Sequence, residues 1–233
     1  MPMPTTRAAF DRELALLRDH VQAMGTTLDR MLELAVRAVV EQDEELTSAV
    51  LSLEDEVDRL DGLVEESSLR IISLQQPVAS DLREIGTAFK VVTDLERVGD
   101  YAVDIAKIGR RIVRRGLVYK PLVDLPHMSD LVRAMLKDAM MAYTAKEARF
   151  VKQILEADDA VDDVYHRYRD YTIEAMRQDT SLVYLGTFVV LASKYLERVG
   201  DHIVNVAERV HYLITGELAP LAKMRKRGLQ TSA

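Results

Sequence analysis

The chain has 233 residues, of which 48% are hydrophobic, 30% charged and 6% aromatic, with no Trp and no Cys. Lys and Arg number 31 and Asp and Glu 38, a formal charge of −7 that opposes general binding to nucleic-acid phosphates. The missing cysteines exclude a disulfide scaffold, a thiolate metal site and a thiol nucleophile, and 10 Gly with 6 Pro are too few for a turn-rich all-β fold.

Phe10, Leu14, Leu17, Val21, Met24, Leu28, Met31 and Ala35 are spaced alternately by four and three, the seam of a first long helix over 6–41. Leu46, Val50, Leu53, Val57, Leu60 and Val64 repeat the spacing on a second helix over 43–74, which Gln75-Gln76-Pro77 ends. A third helix is predicted from Ser80, as N-cap, to Arg115, with Gly116 as its stop. The segment up to Pro126 holds two prolines and reads as a linker. A fourth helix is expected over 129–155 and a fifth over 158–177. Asp179-Thr180-Ser181 makes a turn, and the sixth helix runs to Thr215, just before Gly216. No β-alternation is present. The expected fold is all-α, two tandem antiparallel three-helix bundles. The first repeat is assigned to 1–118, a linker to 119–127, the second repeat to 128–217 and a basic tail to 218–233.

Charge is unevenly placed along these helices. Between Glu41 and Glu66 Arg59 is the single base among eleven acids, whereas Lys107 to Lys120 holds six bases and no acid, and the tail carries Lys223, Arg225, Lys226 and Arg227. Cations at helix ends complement the helix dipole, which accounts for both basic clusters without a membrane or a partner. Met1 to Phe10 lacks the apolar core of a secretory signal. The longest uncharged stretch, Thr180 to Ser193, is too short to span a bilayer. A soluble, cytoplasmic protein is expected.

The two halves repeat each other. Leu95-Glu96-Arg97-Val98-Gly99-Asp100 recurs unchanged as Leu196-Glu197-Arg198-Val199-Gly200-Asp201, and Asp55-Glu56-Val57-Asp58 resembles Asp159-Ala160-Val161-Asp162. Four acidic pairs with spacing i, i+4 fall at matching places: Glu54 with Asp58, Glu96 with Asp100, Asp158 with Asp162, and Glu197 with Asp201. That spacing puts both carboxylates on one helical face. On the third helix Ile85, Phe89, Val92 and Val103 lie within about 40° of Glu96, so the acids interrupt an apolar row. Unpaired buried carboxylates are costly, and something positive is expected opposite them.

The pairs should also share a level. Glu54 and Asp58 centre on position 56 and Glu96 and Asp100 on 98, and halfway between lies Pro77, in the predicted turn. In the second unit the halfway point falls at Asp179-Thr180, again in the turn. Each hairpin should therefore bring four carboxylates together. Oxygen ligands without cysteine suit Mg, Mn, Ca or ferric iron, and Zn also fits. Gly99 and Gly200, costly inside helices, would let the neighbouring helix come close. A salt-bridge network through Arg97 and Arg198 is the competing explanation. The first unit is the more acidic, since Tyr165, Arg169 and Asn205 stand where it has Asp61, Glu65 and Asp104, so the two sites are expected to differ in metal content. Glu208 with His211 and Asp163 with His166 superficially match the Glu-x-x-His ligands of di-iron bundles, without counterparts in the first unit. His202, beside Asp201, is a candidate peripheral ligand. No phosphate loop or nucleophile triad is found.

Tandem three-helix repeats that each carry Leu-Glu-Arg-Val-Gly-Asp resemble the PhoU family of bacterial phosphate-signalling regulators, from about Phe10 to Glu217. The resemblance implies metal ligands at Glu54, Asp58, Glu96, Asp100, Asp158, Asp162, Glu197 and Asp201. It also implies multinuclear clusters, iron or zinc among them, on a cytoplasmic homodimer. By the same resemblance the protein would act with a phosphate ABC transporter and a sensor histidine kinase, repress phosphate-starvation genes, and perform no chemistry. Two other functions compete: a di-metal carboxylate enzyme (phosphohydrolase or oxidase), which needs open coordination positions, and a purely structural helical dimer.

Overall fold

The structure, a computed structural model, describes residues 6–221. The four tail cations from Lys223 to Arg227 lie outside the described residues, as do Met1 to Thr5. Six helices follow in order: α1 (Thr6–Val40), α2 (Glu44–Gln75), α3 (Ala79–Arg114), α4 (Leu125–Ala145), α5 (Ala148–Gln178) and α6 (Val183–Thr215), with a short 3₁₀ turn at Thr180–Leu182. There is no strand among the described residues.

The heptad seam of α1 is the spine of the core. Leu17, Val21, Met24, Leu28, Met31 and Ala35 are all fully buried. Within each repeat the three helices pack on one another. Between repeats α1 packs on α4 and α3 on α6, while α2 and α5 pack within their own repeats. Both cross-repeat pairs run antiparallel. Arg133 bridges to Asp29 at 2.8 Å and Thr144 donates to Gln22 at 3.1 Å, so α4 descends as α1 rises. The same sense places Arg115 over the Tyr184 ring and His202 on Asp94. The buried apolar side chains form one cluster through both repeats.

Three boundaries differ from the sequence expectation. Ser80 does not cap α3; the helix starts at Ala79 behind an extended Val78, which has no side-chain capping bond and accepts the Asp81 N–H on its carbonyl at 3.1 Å. The predicted fourth and fifth helices divide at 146–147 rather than at 155–158. Lys146 closes α4 in the left-handed region (φ 55°) and donates its backbone N–H to Ala142. No Gly or Pro marks that turn, so the apolar rhythm runs straight through it. Finally, α4 begins at Leu125 rather than 129. Asp124 accepts from the His127 N–H at 2.9 Å and Pro126 sits in the first turn, where a missing N–H costs nothing.

The segment between α3 and α4 is tied down. Gln42, itself at φ 56°, donates its side-chain amide to the Leu117 carbonyl at 2.6 Å and accepts from the Tyr119 N–H at 2.9 Å. Tyr168 donates to the Asp124 carbonyl from the far side.

Candidate metal centre

In the first repeat the α2–α3 hairpin turns through Gln76, left-handed at φ 45°, and Pro77. The halfway point of the acidic pairs thus falls in the turn, and the pairs meet across the seam. Burial pushes the Glu54 carboxyl up, and after the opposing pull of Lys107 the next contributions come from Asp58 on its own helix and Asp100 on the facing one. Burial likewise raises Glu96, reinforced by Asp100 and, across the seam, by Asp61 and Asp58, against Arg97. Asp61 is raised by burial, then by Glu65 and Asp58. These acids share one field.

The competing salt-bridge network covers part of the group. Arg97 reaches Asp100 at 2.8 Å and Glu96 at 3.5 Å. Among the described residues no salt bridge reaches Glu54, Asp58 or Asp61.

The second repeat places its acids on the same scaffold with different company. Asp158 on α5 is 4% exposed and lies against Gly200 of α6. Glu197 is held by Lys194, whose ammonium donates to both carboxylate oxygens at 2.6 Å. Arg198 reaches Asp201 at 3.1 Å. Tyr165 lies under the Lys194 ammonium, 4.9 Å from the ring centroid, and Arg169 lies 5.9 Å from the same ring. Lys194 escaped the sequence reading. Its signal is a single difference, since the residue three before Glu96 in the first repeat is Thr93.

Among the described residues no group of three or more acids or histidines is placed so that it could hold a metal ion. The carboxylates act on one another across the seam, and like charges at this range repel. His202 faces away from this group: its Nδ1 lies 2.9 Å from Asp94 Oδ1, which also accepts from Asn205 at 3.0 Å. His166 packs on the Tyr165 ring. The donor set is therefore carboxylate only, which fits a hard, oxygen-seeking cation.

The two motif glycines are snug without being indispensable for close approach. A Cβ at Gly99 would sit 3.3 Å from a Leu28 methyl, and one at Gly200 3.4 Å from Asp158 Oδ1. The tightest backbone approach is at Gly109, where a Cβ would fall 2.5 Å from the Ala38 carbonyl oxygen.

The family model described as PhoU domain matches this chain twice, over residues 21–109 and 125–210, which are the bodies of the two repeats. The chain belongs to the PhoU family. A relative from Clostridium acetobutylicum, named phosphate-specific transport system accessory protein PhoU homolog, is 36% identical over 93% of this chain and 99% of its own. One from Deinococcus radiodurans with the same name is 32% identical over 90% and 98%. The crystal structure of PhoU from Pseudomonas aeruginosa superposes with a TM-score of 0.84 at 31% identity, covering 89% of this chain and all of that one. The PhoU of Streptococcus pneumoniae, titled a phosphate transport system regulatory protein, gives 0.81 at 28% identity, covering 90% and 99%. These PhoU names describe accessory and regulatory proteins, not enzymes, in keeping with the non-catalytic expectation. No described helix of this PhoU-family chain is long and apolar enough to cross a membrane.

Proposed function

We propose that this chain is a metal-binding regulator attached to a phosphate-specific transport system. In this reading it works on the cytoplasmic side as a homodimer, linking a phosphate ABC transporter to a sensor histidine kinase and restraining phosphate uptake and starvation signalling. The attachment to phosphate transport rests on near full-length similarity to relatives that carry that name. The kinase, the dimer and the metal rest on the family resemblance.

One observation carries the metal reading. Glu54, Asp58, Glu96 and Asp100 act on one another across the α2–α3 seam, where burial and the neighbouring acids raise the Glu54 and Glu96 carboxyls, and the basic groups near them, Arg97 and Lys107, leave Glu54, Asp58 and Asp61 without a salt bridge. These residues would hold the cation of the first repeat. Asp158, Asp162, Glu197 and Asp201 stand at the matching places in the second repeat, where Lys194 already holds Glu197. A bound cation supplies positive charge that offsets the repulsion and ties α2 to α3. Glu54 and Glu96, the more buried of the four, position it, and Asp58 and Asp100 close the seam towards solvent.

A di-metal enzyme needs a substrate cavity over these acids. The large cavity near the bundle end, about 580 Å³, is lined instead by Arg7, Arg18, Glu84 and Lys146. The function is tested by affinity capture of the tagged protein from phosphate-replete cells, beside a phosphate-starvation reporter. Wild type should retain the transporter and keep the reporter silent, and Glu96→Gln with Asp100→Asn should release the reporter. A silent reporter in cells lacking this protein would reject the regulatory role.

A further inference from the structure

We infer that Lys194 is a built-in cation for the carboxylates of the second repeat, so that the α5–α6 seam does not take the metal ion that the α2–α3 seam takes. This rests on the metal reading proposed above for the first repeat and deepens it.

The argument starts from position. Lys194 precedes Glu197 by three residues on α6, so both side chains lie on one helical face. Its ammonium sits 2.6 Å from each oxygen of Glu197, a pair of charge-assisted bonds that uses both acceptor atoms a metal would need. The pair is shielded, with Glu197 only 12% exposed, and partial desolvation strengthens the attraction beyond that of a surface pair. Tyr165 of α5 sits under the ammonium and holds it in the seam by cation–π attraction.

Tyr165 stands where the first repeat has Asp61, Arg169 where it has Glu65, and Asn205 where it has Asp104. Each replacement removes a negative charge or adds a positive one. A change in the opposite direction, Glu208 where the first repeat has Lys107, lies two helical turns beyond Asp201. In the first repeat the residue equivalent to Lys194 is Thr93, whose hydroxyl bonds back to the Phe89 carbonyl and brings no charge. Both seams keep an arginine on the motif aspartate, but only the second adds an internal ammonium, held on Glu197. To enter the second seam a metal ion has to displace a held ammonium as well as its own hydration water.

The test is Mn²⁺ binding to the metal-stripped full-length protein, counted by calorimetry and by the loss of free-Mn²⁺ paramagnetic resonance signal. Circular dichroism checks that each variant is folded. Wild type should bind one seam's complement of Mn²⁺. Glu197→Gln with Asp201→Asn should leave that complement intact, and Glu96→Gln with Asp100→Asn should remove it. Lys194→Thr, with Lys194→Gln as a second variant, should open the other seam and about double the bound metal. Equal loss from either carboxylate variant, or no gain in both Lys194 variants, overturns the inference. If wild type binds no Mn²⁺ while the Lys194 variants do, the inference holds and the metal reading of the first repeat fails.

Discussion

Two carboxylates on α3, Glu84 buried and Glu96 part-exposed, shift in opposite directions, and the more buried one is the one held low, because its neighbours decide the sign. Glu84 on α3 is 5% exposed. Burial alone would raise its carboxyl, but hydrogen bonds from Arg18 of α1 and Lys146 at the end of α4 hold it below its ordinary value of 4.5. Its stabilising contribution is present above pH 4.5 and is lost as pH falls through the lowered value. Glu84→Gln removes the charge that Arg18 and Lys146 face. It should cost on the order of 2 kcal/mol at neutral pH, part of the loss being returned because both cations still touch water. Its melting curve should approach that of wild type only at acidic pH. Glu96 is the reverse case. Its carboxyl is raised, by burial and then by Asp100, so its folded form favours the neutral acid. The associated stability is fully present below the ordinary 4.5 and is lost as pH rises through the raised value. In metal-free protein, Glu96→Gln should therefore leave thermal stability at neutral pH equal or higher than wild type; a clear drop would contradict the repulsive reading of the seam. The Lys194 pair left only an i, i+3 spacing and a single difference between the repeats as its signal in the sequence, and the buried Glu84 triad left none. Glu84 reads there as one more helix-face acid, because its partners lie 66 and 62 residues away on other helices.

At the scale of the element, hydrophobic rhythm gave the long helices faithfully because their seams are uninterrupted, as in α1, where the predicted apolar row is buried along its whole length. It failed where a turn carries no turn residue. Lys146 adopts left-handed backbone without being glycine and is retained by its side chain on Glu84, whereas the equally left-handed Gln42, held on the Leu117–Tyr119 strap, lies at a break that the rhythm did place. A left-handed lysine costs conformational energy that pattern reading cannot anticipate. Gly109 is a further constraint of this scale. A methyl group there meets main chain of α1 rather than a yielding side chain. Gly109→Ala should cost about 1–3 kcal/mol, by overpacking that helix propensity does not repay. Gly62→Ala, with nothing within 4 Å of its Cβ position, is the control that should be neutral or stabilising. Urea melts of the two variants separate them.

For the whole molecule, the duplication visible in the doubled Leu-Glu-Arg-Val-Gly-Asp block becomes a pair of repeats packed antiparallel through α1 on α4 and α3 on α6. The sequence disclosed the repeats and their turns, since both halfway points fall in loops. It did not disclose how the repeats face each other, because the cross-repeat contacts, such as Arg133 with Asp29, join residues with no recurring spacing. The continuous core implies that neither half is self-sufficient. A fragment of residues 1–118 exposes the α1 and α3 faces that α4 and α6 cover, and should self-associate in size-exclusion chromatography. The full chain should unfold in a single transition.

The duplication also separates what the repeats share from what each does. They share a scaffold that brings acidic pairs to one level; they differ in what balances those acids. The most direct measurement is the metal content of the natively purified protein by elemental analysis, compared with the variant Glu96→Gln, Asp100→Asn. Bound metal in the wild type that is lost in the variant, with folding unchanged, is the predicted result. Equal metal content in the two proteins, or none in either, would contradict the assignment of the α2–α3 seam as the metal centre.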